Sequence, residues 1–142
     1  MCDDDDIYFE DRTKLILDYF EKHSEMSLVN YPYVRIDYND NQVKNGTFQG
    51  AEFNEKLFKE SGAINYFCNP TVAFRKPDFM AMGGYRPETK EATDDLQFVR
   101  AWIESGRKIG FVPNEYPCGH RVLPDSIMSK MRGFKPEWAT TA

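Results

Sequence analysis

At 142 residues, with 41% hydrophobic and 15% aromatic content, the chain is the size of one ordinary domain and can bury one core. A net charge of -5 supplies no broad positive field, which argues against a general nucleic-acid or membrane-surface binder. There is no secretory signal and no apolar run long enough to span a bilayer, and Cys2, Cys68 and Cys118 form neither a close-spaced metal pattern nor an even-numbered disulfide framework, so a cytoplasmic setting is expected.

The chain opens with four consecutive aspartates, Asp3 to Asp6. At about 4 Å a like-charged pair costs roughly 1 kcal/mol in water and roughly 4 kcal/mol at an effective dielectric near 20, so an ordered run needs a counter-charge. A hard divalent cation is one answer. The other is a solvated cluster interacting with the N-terminal dipole of the helix that follows. That helix is read from "EDRTKLILDYFEKHSE", where Leu15, Ile16, Tyr19 and Phe20 share a stripe and Asp11 is available as a cap. No strand is expected ahead of the acidic run.

"MSLVNYPYVRIDYN" is rich in Val, Ile and Tyr and is followed by turn signals, so it reads as strands. "AEFNEKLFKESG" reads as a short helix stopped at Gly62, and "NPTVAFRK" as a strand closed by Pro77. "PDFMAMGGY" gives a short helix that starts at the proline and ends at Gly83 and Gly84. "TDDLQFVRAWIESG" is the clearest amphipathic helix, with Leu96, Val99, Ile103 and Trp102 expected inward, and "KIGFVP" is a short buried strand. Asp94 and Asp95 open that helix, either as first-turn charge or as a base at a cavity edge. Residues 131–142 read as a partly ordered tail.

Taken in order, "DDDDIYFEDR", "NPTVAFRK", "GGYRP", "DDLQFVRAW", "KIGFVP" and "HRVLPDSIMS" resemble the second half of glycosyltransferase family 2, the inverting sugar-nucleotide enzymes of the GT-A fold, over about residues 1–130. The acidic run stands where that family has its Asp-x-Asp or related metal motif. "GGYRP" stands at its Gly-Gly-Tyr/Phe turn, and "DDLQFVRAW" at its Glu-Asp-x-x-Leu-x-x-Arg helix start. The resemblance implies an α/β fold, a GT-A-like mixed sheet flanked by helices, lacking the N-terminal nucleotide-binding half.

It also implies metal-dependent, inverting transfer of a sugar from a nucleotide-diphosphate sugar donor to a glycan or other hydroxyl acceptor, with Mn²⁺ or Mg²⁺ as cofactor. Asp5 is the expected metal ligand, with Asp3 and Asp4 sharing the remaining acidic role between metal and donor and Asp6 a spectator. Asp95 matches the general base, and Asp94 the acid beside it. His120 would meet the metal or the diphosphate, and Arg121 the leaving-group charge. Asn69 and Arg75 are weaker site candidates. Tyr85 is expected as a stacking platform and Trp102 as core. Without a nucleotide-binding half, little or no transfer by these residues alone is expected, together with self-association through an exposed sheet edge. The alternative is a non-catalytic remnant that holds a glycan or protein partner.

Overall fold

The computed structural model describes residues 4–48, 69–87 and 94–123, together with positions 56 and 60. The helix expected over residues 51–62 lies outside the described residues, except that Lys56 and Glu60 are both helical and pair at 3.8 Å, exposed to solvent. The tail over 131–142 also lies outside them.

Strand β1 (Ile7–Tyr8) follows the acidic run and precedes helix α1 (Arg12–Lys22). The aspartates therefore sit at the head of a strand, and no acidic side chain occupies the first turn of α1. This removes the helix-dipole account of the run, because that effect decays within the first turn. Asp11 takes the N-cap position but makes no side-chain cap bond. Its φ of -83° and ψ of -4° are helical, whereas a capping carboxylate needs an extended backbone to reach the second or third amide.

Strands β2 (Leu28–Asn30) and β3 (Tyr33–Ile36) come next, as the Val- and Tyr-rich stretch predicts, followed by β4 (Gln42–Phe48), which runs through Asn45 and Gly46, a pair that reads as a turn signal in the sequence. A single 3-10 turn (Asn69–Thr71) leads to β5 (Ala73–Phe74), so only the centre of "NPTVAFRK" is strand. Helix α2 (Lys76–Ala81) carries Pro77 in its first turn and stops at Gly83 and Gly84, whose φ values of 88° and 79° suit a residue with no Cβ. Helix α3 (Asp94–Glu104), β6 (Ile109–Phe111) and β7 (Cys118–Arg121) complete the order.

Two mixed sheets result, in a small α/β fold flanked by helices. One runs β1-β7-β3-β4, parallel only between β3 and β7; the other runs β5-β2-β6, parallel only between β2 and β6. Leu28, Val72, Phe98, Val99 and Trp102 form the core around the second sheet. The buried face of α3 is turned toward Phe98 and Trp102, with Ile103 only half-buried. Phe98 is drawn inward by the Phe74 and Phe79 rings, 5.4 and 6.1 Å away. The side chain of Leu96 lies outside the described structure.

Where β2 leads into β3, the chain is polar and dry. Thr71 Oγ1 donates to the Tyr31 carbonyl and lies 3.1 Å from Asn30 Oδ1, all in the interior. A buried hydroxyl left without a partner would cost about 1–3 kcal/mol, so this pairing is what allows the junction to be buried.

Candidate functional site

The β1–β7 register carries the acidic run to the opposite end of the described sequence. Ile7 faces Gly119 and Tyr8 faces Cys118 across the antiparallel pair, which puts Asp6 beside His120 one step further on. Alternation along the strands then sends the Asp6 and His120 side chains to the same face. Asp6 Oδ1 lies 3.0 Å and Oδ2 3.3 Å from His120 Nδ1, although the residues are 114 positions apart. The Asp6 side chain is 0% exposed and that of His120 37%. The Arg121 backbone N–H donates to Asp6 Oδ1 at 2.9 Å. Tyr33, on the neighbouring parallel strand, packs edge-on against the imidazole at 5.0 Å between centroids.

Arg121 joins this cluster to the turn between β3 and β4. Its Nε donates to the Asp5 carbonyl at 2.8 Å, Nη1 to the Asp37 carbonyl and Nη2 to Asp40 Oδ1. The turn is itself built by Asp37, whose Oδ1 accepts from the Asn39 and Asn41 amides at 2.8 and 3.0 Å. Those bonds, the Asn41 amide first, hold the Asp37 carboxyl below the usual carboxylate range, with a smaller contribution from Arg121. Asp40 adopts a φ of 66°, a left-handed conformation that a short polar side chain tolerates.

Asp4 and Asp5 lie in the turn ahead of β1 with exposed side chains. Asp3 lies outside the described residues, and Asp94 and Asp95 form the first residues of α3 with side chains outside them. The described structure therefore brings Asp5, Asp6, His120 and Arg121 together and does not relate them to Asp95. Arg75 is bonded elsewhere: Nε donates to the Met26 carbonyl and Nη2 to the Phe20 carbonyl, each at 2.8 Å, and the guanidinium stacks on the Phe20 ring. It closes the C-terminal end of α1. Trp102 is wholly buried, as expected. Tyr85 is 47% exposed and rests on Phe79 and Phe98, with centroids 5.2 Å away in both cases.

Sequence reasoning missed the weight carried by Asp6, and with it the roles of Tyr33, Asp37 and Asp40. The available signal was the shared alternation of Asp6 with Tyr8 and of Cys118 with His120, which becomes legible only once the two strands are paired.

Among the described residues no group of three or more His, Cys, Asp or Glu side chains is placed to hold a metal ion. Mg²⁺ and Mn²⁺ accept one or two carboxylates with water and substrate phosphates, which the exposed Asp4 and Asp5 can supply. No helix among the described residues is long and apolar enough to cross a membrane. Compared with known proteins, the chain matches no family model and no curated protein.

Proposed function

We propose that this chain carries the metal and acceptor half of a GT-A-type, metal-dependent inverting glycosyltransferase, acting on a nucleotide-diphosphate sugar and a hydroxyl acceptor. One observation carries the reading: Asp6 and Arg121 bind the acidic run to the His120–Arg121 pair, so the two motifs read as donor-binding meet in space.

Asp5 and Asp3 would hold Mn²⁺ or Mg²⁺, with Asp4 beside them and His120 Nε2 as a further donor. Bound there, the ion supplies positive charge against the leaving diphosphate. Arg121 spends its guanidinium on the Asp5 carbonyl, the Asp37 carbonyl and Asp40, so it holds the acidic turn in place and adds positive potential from behind it. Asp95 takes the proton of the acceptor hydroxyl as that oxygen attacks the anomeric carbon opposite the leaving group, and Asp94 orients the acceptor. Tyr85 offers a stacking surface for a sugar ring. A cytoplasmic setting belongs to the same reading and rests on the cysteine usage.

The test is transfer from a panel of nucleoside diphosphate sugars to hydroxyl acceptors with Mn²⁺, read by mass spectrometry in a protein that joins a nucleotide-binding half to this chain, since little or no transfer is expected of these residues alone. Asp95→Asn should reduce turnover by about 10²–10⁴-fold, the usual worth of a positioned base. Asp5→Ala should abolish the Mn²⁺ dependence. Normal turnover in Asp95→Asn removes the base assignment. Glycan binding without any transfer favours a non-catalytic module instead.

A further inference from the structure

The Asp6 carboxylate is wholly buried, yet its closest side-chain partner is a half-exposed imidazole rather than a permanent cation. Burying a carboxylate is expensive unless donors meet it. Among the described residues the donors are two: the Arg121 N–H at 2.9 Å and the imidazole edge at 3.0 Å. An ionised carboxylate accepts and cannot donate, so the facing Nδ1 must carry the proton. In the neutral ring that leaves Nε2 as the lone-pair nitrogen, and among the described residues Nε2 takes no hydrogen bond. The Tyr33 ring, packed edge-on at 5.0 Å, restricts rotation of the imidazole.

We propose that Asp6 is a positioning residue: it fixes His120 in the Nδ1–H tautomer and presents Nε2 as an acceptor nitrogen at the acidic end of the sheet. A carboxylate behind an imidazole in this way fixes the tautomer and the direction of the far nitrogen, which is how histidine ligands of divalent cations are commonly braced. The tautomer assignment stands on the Asp6–His120 geometry alone. Only the identity of what Nε2 meets rests on the sugar-transfer reading above.

Asp6→Asn separates this role from simple packing. The amide has the shape of the carboxylate, and its oxygen at the Oδ1 position still accepts the Arg121 N–H, while its NH₂ takes the Oδ2 position, 3.3 Å from Nδ1. The amide lacks the negative charge that holds the proton on Nδ1, so the variant keeps the fold and shifts the tautomer balance toward Nε2–H. Long-range ¹H–¹⁵N spectra of the His120 ring, recorded where the imidazole is neutral, read this directly. The wild-type chain should show a protonated Nδ1 and a bare Nε2, and Asp6→Asn a clearly larger share of Nε2–H, with the Arg121 amide signal retained as the check on folding. A protonated Nε2 in the wild type overturns the proposal without any need for the variant, and so does an unchanged tautomer in folded Asp6→Asn.

Mn²⁺ added to the same samples separates the two readings. Broadening of the His120 ring protons in the wild type, needing about 10–100-fold more Mn²⁺ in Asp6→Asn, supports both. With the expected tautomers but no Mn²⁺ effect on the ring, the positioning role of Asp6 stands and His120 is removed from the proposed metal site.

Discussion

Asp4 and Asp5 face solvent, whereas the carboxylate of Asp6 is enclosed by His120 and the Arg121 amide. The same residue type thus does different work within one run, decided by whether a second strand lies alongside. Arg121 has the same dependence on its surroundings. Its three bonded nitrogens reach acceptors on two separate turns, which a single lysine ammonium cannot reproduce. Arg121→Lys should cost about 1.5–3 kcal/mol, the usual worth of hydrogen bonds to a charged group, read from the urea midpoint. Asp37 gives a pH prediction. Its carboxyl is held low, so the stability it contributes is present above the unfolded value of about 3.9 and is lost as pH falls through the lower folded value. The Asn39 and Asn41 amide shifts should titrate together with a midpoint below about 3.9. A midpoint at or above that value would contradict the turn geometry.

Helix α1 illustrates why an amphipathic stripe does not by itself say how deeply a helix is buried. Leu15, Ile16, Tyr19 and Phe20 form the expected face, but none of them is fully buried, and Leu17 is 63% exposed. The helix is seated through Tyr19, whose ring meets Tyr31 at 6.4 Å and lies over Gly110 in β6. A Cβ at Gly110 would come within 1.8 Å of the Tyr19 hydroxyl and 2.7 Å of its ring carbon, so Gly110→Ala displaces the Tyr19 ring that seats α1 on the sheet. A loss of about 1–3 kcal/mol is expected, as for other overpacked interiors, with weakened amide protection in α1 on hydrogen exchange. At the far end of the same helix, Arg75→Met removes the two bonds to the Met26 and Phe20 carbonyls. It should lower stability by about 1.5–3 kcal/mol and fray the last turn of α1 first.

At the scale of the whole molecule, the two sheets meet where β2 runs into β3, and Tyr31 lies buried at that junction. Burial pushes its phenol well above the usual tyrosine range, with smaller contributions from Tyr19 and Glu115, and burial also raises Tyr19. A raised folded value means that the stability these groups contribute is complete below the unfolded value of about 10 and declines as pH rises beyond it. Alkaline unfolding is therefore expected to steepen above about pH 10. Tyr31→Phe should flatten that dependence at little cost near neutrality, because the hydroxyl reaches the Leu15 carbonyl only at 3.5 Å. An unchanged alkaline slope in this variant would place the sensitivity elsewhere.

Much of the secondary structure was legible in the sequence because it depends on local patterns. Helix periodicity in "TKLILDYF" and "LQFVRAWI", the proline at the start of α2 and the glycine pair that ends it each act within a few residues. The acidic run and the "HR" pair could also be picked out as chemically unusual. The inner face of α3 was legible in Val99 and Trp102, which are buried, but not in Phe98, which is chosen by aromatic rings on other elements. Nor could the sequence show that Asp6 is the buried member of its run, that Arg75 closes a helix, or that Arg121 holds a turn. Each of those roles depends on an acceptor or donor far away in the chain, and only strand pairing brings the two within hydrogen-bonding reach.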